Sequence, residues 1–301
     1  MIKIKHLKKN NPYESLSILI PIYNWNVKSL VFGLHKQCVD LKIKFEIICV
    51  EDSSTNTFNN QTLKEIKYIT YKYLTKNIGR SKIRNLLARS AKNNFLLFID
   101  ADSEIKNNDN FIQNYITESL SLTSENELIY GQTLYKQDKP IRKKILHWTY
   151  GKKIESKNKK NNFSSHHFLC KKSLFNKCQF DENIDSYGYE DVLFGKEKKI
   201  KYINNPLFHI GLKNSNKFIY DTESSLKNII KFSANSKIFT IWKLTYKLYI
   251  DRLISIIFKL TKRLILRNLH SENPSMLLFQ FYKLGYICYV KDDQTKNKRA
   301  I

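Results

Sequence analysis

The 301-residue sequence is short of acids, of paired cysteines and of long apolar runs, and each shortage removes a class of protein. No stretch reaches the roughly 18 consecutive apolar residues of a membrane-spanning helix, so no segment is expected to cross a bilayer. Met1 to Tyr13 is rich in Lys and Asn and has no apolar core of about 7–15 residues, which argues against a secretory signal. The five cysteines (Cys38, Cys49, Cys170, Cys178 and Cys288) are odd in number, form no C-x-x-C pair and lie at no zinc-finger spacing. Reduced, structural thiols in a cytoplasmic protein are the expectation. Also missing are G-x-x-x-x-G-K-[S/T] and a G-x-G-x-x-G following a strand, which removes the P-loop and dinucleotide-binding readings.

What is present is a folding composition with a strong charge bias. Hydrophobic residues make up 42% of the chain, enough for a real core, and 52 basic residues against 27 acidic ones leave a formal charge of +25. Such a charge attracts polyanions, although Lys spread over solvated faces would produce the same total. The most informative stretch is Asn94-Phe95-Leu96-Leu97-Phe98-Ile99-Asp100-Ala101-Asp102-Ser103. Its apolar run reads as a strand buried on both faces of a mostly parallel sheet, and ligands of such sheets bind outside the carboxyl ends of the strands. On extended backbone Asp100 and Asp102 point the same way, and two converging carboxylates suit a hard cation such as Mg²⁺ or Mn²⁺. The bland alternative is a strand ending in a solvated acidic loop.

The segments before it repeat this pattern. Ser15 to Tyr23 is an apolar strand whose end Pro21 should mark, followed by a helix through Leu30, Leu34 and Cys38. A second buried strand, Phe45 to Val50, ends in Glu51, Asp52, Ser53 and Ser54. A third is expected near Ile66 to Tyr71. Asn77-Ile78-Gly79-Arg80-Ser81 then opens a helix whose free N–H groups suit phosphate oxygens, with Arg80 and Arg84 on one face. The alternative is that those arginines are solvated helix charges pairing with neighbouring carboxylates. The alternation predicts a doubly wound α/β sheet.

Pro21-Ile22-Tyr23-Asn24, Glu51-Asp52-Ser53-Ser54, Asn77 to Asn85 and Asp100-Ala101-Asp102, in this order and spacing, resemble a family 2 glycosyltransferase with the GT-A fold. The likeness extends to Glu190-Asp191. It implies a nucleotide-sugar donor, expected to be a UDP-sugar, a divalent metal and inversion at the anomeric carbon. By position, Pro21, Tyr23, Asn24 and Glu51 would cradle base and ribose beside Asp52, while Asn77, Arg80 and Arg84 would face the nucleotide or its diphosphate. Asp100 and Asp102 would be the D-x-D, with Asp102 on the metal. Glu51 stands where the family usually has Asp, a longer arm at the base contact.

Further along, Ile105 to Leu122 predicts an amphipathic helix, and Leu128 to Tyr130 a strand ending at a Gly131 turn. Lys136 to Asn162 reads as a basic excursion suited to an acceptor lid, in which Trp148 and Tyr150 could stack on sugar rings or simply pack inward. In Ser164 to Cys170, adjacent His166 and His167 must face opposite ways, so at most one of them reaches the site; His167 is the candidate sugar contact, with Tyr189. The resemblance makes Asp191 the general base and Glu190 its partner on an acceptor hydroxyl; alone, the pair could merely cap a helix. His209 is either a structural residue or, as in similar enzymes, a third metal contact. The spacing of Ile238, Ile241, Trp242, Leu248, Leu253, Leu260 and Leu264 predicts a basic amphipathic helix that either lies on an anionic membrane surface or packs on protein. A frayed polar tail is expected from Asp292.

The expected organisation is α/β: a tail (1–14), a GT-A (Rossmann-like) catalytic domain (15–212) with a mixed, mostly parallel sheet flanked by helices, and a helical C-terminal extension (213–301). The expected activity is metal-dependent, inverting transfer to a glycan or lipid-linked acceptor in surface polysaccharide synthesis. Nucleotidyl transfer would want a Gly-rich N-terminal loop, absent around Pro21. Nucleic acid is not an expected partner, because acids grouped at strand ends would repel its backbone.

Overall fold

The computed structural model describes residues 15–124, 126–157, 163–184, 187–232 and 236–299, so the expected tail 1–14 lies outside the described residues. In chain order the elements are β1 (Ser15–Ile22), α1 (Lys28–Asp40), β2 (Lys44–Asp52), β3 (Ile69–Leu74), α2 (Arg80–Ser90), β4 (Phe95–Ile99), β5 (Ser103–Glu104), α3 (Phe111–Ser119), β6 (Glu127–Leu134), α4 (Ile145–Tyr150), β7 (His167–Lys171), α5 (Lys172–Lys177), α6 (Glu190–Gly195), β8 (Lys199–His209), α7 (Ser215–Lys231), α8 (Lys237–Lys247), α9 (Asp251–Leu269) and α10 (Met276–Arg299). They form two compact units. Of the described residues, the first holds those within Met1–Leu134, Asn158–Glu182 and Phe194–Gly211, and the second those within Tyr135–Lys157, Asn183–Leu193 and Leu212–Ile301.

The first unit is built on one sheet in the order β3-β2-β1-β4-β7-β6-β8-β5. β3, β2, β1 and β4 run parallel, β7 is antiparallel to β4 and β6, and β6 and β8 are parallel. Period-two alternation explains why the strands read as unbroken apolar runs. Ile18, Ile47, Leu97 and Leu169 point into one core and Leu19, Ile48, Phe98 and Phe168 into another, on opposite faces of the sheet. Each such side chain contributes about 1.5–3 kcal/mol by leaving water. Phe98 also stacks on Phe168, with ring centroids 4.7 Å apart.

Several boundaries differ from expectation for identifiable reasons. β3 starts at Ile69, not Ile66, because Asn60–Glu65 forms a 3-10 turn that buries Leu63 and closes with Ile66 N–H on the Leu63 carbonyl. The helix expected from Ile105 begins only at Phe111. Before it, Ser103–Glu104 pairs with β8, and Asn108 Nδ2 donates to Asn205 Oδ1 and the Pro206 carbonyl, both at 3.0 Å. Gly131 is no turn but a mid-strand residue. A Cβ there would lie 2.2 Å from the His167 ring and 2.6 Å from the Asn205 carbonyl, so the glycine allows a close strand-to-strand approach.

The second unit is helical, with Leu146, Tyr189, Ile219, Leu226, Phe239, Phe258 and Tyr282 among its buried core residues. Its buried Asp221 accepts from Lys213 Nζ at 2.7 Å and Lys217 Nζ at 2.6 Å, so the carboxylate does not stand uncompensated. The single helix expected through Ile238 and Leu264 is two, α8 and α9. Tyr249 breaks it with φ 58°, and Ile250 N–H reaches back to the Thr245 carbonyl at 3.0 Å. That six-to-one bond is a Schellman end built on tyrosine, so no glycine signalled it. The tail expected to fray at Asp292 instead continues as α10 to Arg299.

Candidate functional site

Parallel pairing brings three strand ends to one sheet edge. Ile22 of β1 lies opposite Glu51 of β2, and Leu19 opposite Phe98 of β4, so the loops after all three leave the same side. Pro21 lies past the last β4 pairing, where a missing N–H costs little. Asn24, left-handed at φ 51°, ties the first two loops together. Its N–H donates to Ser54 Oγ at 2.7 Å, and its Oδ1 accepts from Thr55 Oγ1 and Asn56 N–H, both at 3.0 Å. Tyr23 beside it is exposed.

Glu51 is fully buried. Its Oε2 accepts from Tyr71 Oη at 2.8 Å and from Asn60 Nδ2 at 3.1 Å, and Asn60 also donates to the Trp25 carbonyl at 2.8 Å. The β1 loop is thereby fastened to the end of β2. Glu51 Oε1 has no hydrogen-bond partner among the described residues, a buried acceptor left open. Asp52 organises the turn ahead of α2: its carboxylate accepts from Ile78 N–H at 2.8 Å and Gly79 N–H at 3.0 Å. Asn77 Nδ2 donates to the Asp52 carbonyl at 2.9 Å. The Ile78 and Gly79 N–H groups are therefore used within the protein, and Asn77 holds the turn.

Beyond β4, Asp100 accepts from Arg84 at 2.7 Å, and Arg84 is buried with its guanidinium 5.4 Å from the Phe180 ring centre. This corrects the expectation that Arg84 faces a ligand: it is committed to Asp100, while Arg80, one turn earlier, is exposed. Burial raises the Asp100 pKa, Arg84 opposes that rise and Asp102 adds to it. Asp102 accepts from His209 Nε2 at 3.0 Å. Burial alone would push Asp102 up, but His209, His166 and Arg80 outweigh it and hold the carboxyl well below the ordinary range. The chain leaves no room for a side chain at Gly211, where a Cβ would lie 2.0 Å from Asp102 Oδ2.

The histidine pair resolves opposite to expectation. His166 carries its ring 5.1 Å from that of His209, bonded to Ser103 Oγ at 3.0 Å and Thr133 Oγ1 at 3.1 Å. His167 is a core residue, its Nδ1 2.7 Å from Tyr115 Oη and its Nε2 3.2 Å from the Gln132 carbonyl. Burial pushes His167 down to about 4. The reason is register: Ile99 pairs with His167, so the next residue out, His166, lies beside Asp100, whose N–H it accepts at 2.9 Å.

The profile of the family described as "Glycosyl transferase family 2" matches residues 17–180, more than half of the chain, including Glu51, Asp52, Asp100, Asp102 and His166 but not His209. The chain belongs to glycosyl transferase family 2. No curated protein sequence matches it. Among solved structures, S. aureus TarS 1–349 superposes with a TM-score of 0.50 at 17% identity, over 94% of this chain and 91% of that one. The same TarS fragment in complex with UDP gives 0.50 at 16% identity. Another S. aureus TarS structure gives 0.49 at 19% identity, and there this chain spans only 40% of the relative's length. Identities this low show a shared fold, that of the GT-A glycosyltransferases.

The remaining candidates of this family 2 glycosyltransferase belong to its second unit. Glu190 and Asp191 form the acidic first turn of α6, preceded by left-handed Gly188 (φ 92°) and Tyr189 (φ 82°). Asp191 Oδ1 accepts from Val192 N–H at 2.8 Å, and Glu190 is buried. Tyr189, expected beside a sugar, is packed in the helical core, and its hydroxyl is pushed up to about 12 by burial and by Asp191. Trp148 is half-buried, donates Nε1–H to the Lys136 carbonyl at 2.8 Å and has the Lys152 ammonium 4.6 Å from its ring centre. Missed by the sequence reading is a groove of about 640 Å³ in the first unit, lined by Trp25, Asn26, Glu104, Ile105 and Ile210. Those residues directly follow or neighbour the site loops, but their convergence depends on β5 pairing with β8.

Proposed function

We propose that the chain transfers a sugar, with inversion, from a UDP-sugar to a hydroxyl of a glycan or lipid-linked acceptor in surface polysaccharide synthesis. The observation that carries the reading is the gathering of Glu51, Asp100, Asp102 and His209 at one sheet edge, with Asp102 and His209 in contact. The complex of TarS 1–349 with UDP, a relative in fold, supports UDP as the nucleotide. Glu51 Oε1, an unpartnered acceptor suited to the ring N–H of uracil and ill-suited to the bare ring nitrogen of cytosine, is fully buried, so a base meets it only after the loops around it shift.

An ionised Asp102 and an imidazole at 3.0 Å form an oxygen and nitrogen donor set that fits Mg²⁺ or Mn²⁺. Asp102 and His209 would hold the ion, with Asp100 kept in place by Arg84, and a bound cation supplies counter-charge to the departing diphosphate. Arg80, exposed at the first turn of α2, adds positive charge on the same side. Asp191 takes the proton of the acceptor hydroxyl as that oxygen bonds to the anomeric carbon and the bond to the diphosphate breaks. Glu190 assists on the acceptor hydroxyl. The groove beside Trp25 receives part of the acceptor, with an aromatic face for a sugar ring and polar groups for its hydroxyls.

The test is calorimetric titration with UDP, with and without Mn²⁺, followed by transfer assays over a panel of UDP-sugars. Asp102→Ala should abolish the metal-dependent part of UDP binding. Asp191→Asn should bind UDP normally yet lose transfer by about 10²–10⁴-fold. Metal-independent UDP binding identical in wild type and Asp102→Ala would sink the metal assignment, and near-normal turnover by Asp191→Asn would sink the base.

A further inference from the structure

The second unit keeps part of its apolar surface in solvent. On α9 one side, with Ser255, Phe258, Ile265 and Leu269, is buried in the helical core. The opposite side presents Leu253, Ile256, Leu260 and Leu264 at helical spacing, and Leu260 is 77% exposed. Helix α8 continues the row with exposed Ile241, Leu244 and Leu248, and the break between the helices adds Tyr249 at 89% exposure. Bare leucine and isoleucine at helical spacing on two consecutive helices exceed the scattered apolar exposure that needs no explanation.

Charge is arranged along the same row. By helical spacing Arg252, Lys259, Arg263 and Arg267 line one flank of the α9 stripe, and all four are exposed. Lys243 and Lys247 carry the same sign along α8. No described helix is long and apolar enough to cross a membrane, so the stripe can enter only the boundary layer of a bilayer. Tyr246 and Tyr249, with apolar rings and polar tips, suit that boundary.

We propose that the α8–α9 face lies on an anionic lipid bilayer, with the leucine row among the acyl chains and the arginine flank against lipid phosphates. Charge complementarity selects this occupant: a second copy of a chain carrying +25 would meet the same face with repulsion, whereas an anionic surface attracts it. The assignment stands on surface chemistry alone and does not depend on the reaction proposed above.

The experiment is flotation of the full chain with phosphatidylglycerol-containing vesicles and with pure phosphatidylcholine vesicles, at low and high salt. The chain should float with the anionic vesicles only, and less at high salt. Arg252→Gln/Arg263→Gln/Arg267→Gln should weaken partitioning by about a hundredfold, from three cations near the surface. Leu260→Ser/Leu264→Ser, both solvent-facing, should also weaken it while leaving the melting temperature and UDP titration unchanged. Equal flotation of the variants and wild type would overturn the assignment. So would a wild-type chain that ignores anionic vesicles and forms dimers that the leucine variant dissolves, since the stripe would then be an interface between copies.

Discussion

Gly211→Ala is the sharpest perturbation that the first unit offers. The added methyl would lie 2.0 Å from Asp102 Oδ2 and 2.6 Å from its Cβ and Cγ, so Asp102 or the strand end after β8 must move. Overpacking of this kind costs typically about 1–3 kcal/mol. For a protein of this size that lowers the melting temperature by roughly 2–5 °C. The larger effect falls on the site. Asp102 is held between His209 Nε2 at 3.0 Å and the hydrogen bond from Ile210 N–H to its own carbonyl at 2.9 Å, so a displaced carboxylate loses its place beside the imidazole. Losing the support of a metal ligand weakens metal affinity by about 10–100-fold. Calorimetric titration of UDP in the presence of Mn²⁺ should record a drop of that order. Gly33→Ala is the control: its methyl would touch only Ile105 Cδ1 at 3.7 Å, and in mid-helix it should stabilise by about 0.5–1 kcal/mol without altering UDP affinity. If Gly211→Ala binds UDP and Mn²⁺ as tightly as Gly33→Ala, the crowding argument and the place of Asp102 in the metal site both fail.

Glu51→Gln, with its oxygen retained by Tyr71 and Asn60, would turn an amide N–H toward the open position and should weaken UDP binding by roughly 10–100-fold, from loss of one charged hydrogen bond; unchanged affinity would mean that Oε1 meets no base. Trp25→Ala should raise the KM for acceptor and leave UDP affinity intact, and the reverse pattern would place the nucleotide in the groove instead. The pH dependence of stability follows from His167, whose folded pKa of about 4 lies below the unfolded value of 6.5. Between those values the unfolded chain binds the proton first, so stability falls as pH falls, by about 3 kcal/mol over the window. Denaturant unfolding of His167→Gln should show a shallower slope between pH 6 and pH 4.5, and an unchanged slope would refute the assignment.

Strong local signals carried the strand-end carboxylates. Phe95–Ile99 is apolar on every residue because both sheet faces are covered, and an acid at the end of such a run has few readings besides a ligand site. The partner of each acid was not legible. Whether Arg84 meets a phosphate or Asp100 depends on how α2 lies over β4, and whether His166 or His167 looks out depends on antiparallel register with β4. That Asp52, 26 residues before Ile78, takes the Ile78 and Gly79 N–H groups of the turn ahead of α2 was likewise not written in the local pattern. The α8–α9 break went unseen because its left-handed residue is Tyr249, where the usual signal is glycine.

Periodicity and residue chemistry, both local, were enough to predict a mixed, mostly parallel α/β sheet with acids at its strand ends, and the family was legible as a resemblance in the order and spacing of four short motifs. Pairings between distant segments came only with the tertiary fold: His209 with Asp102, Glu51 with Tyr71, and the bare leucine row left over when α9 had buried its other side. The physical reason is that alternation along a strand or helix is written in neighbouring residues, whereas register and packing are decided by side chains a hundred positions apart competing for the same space.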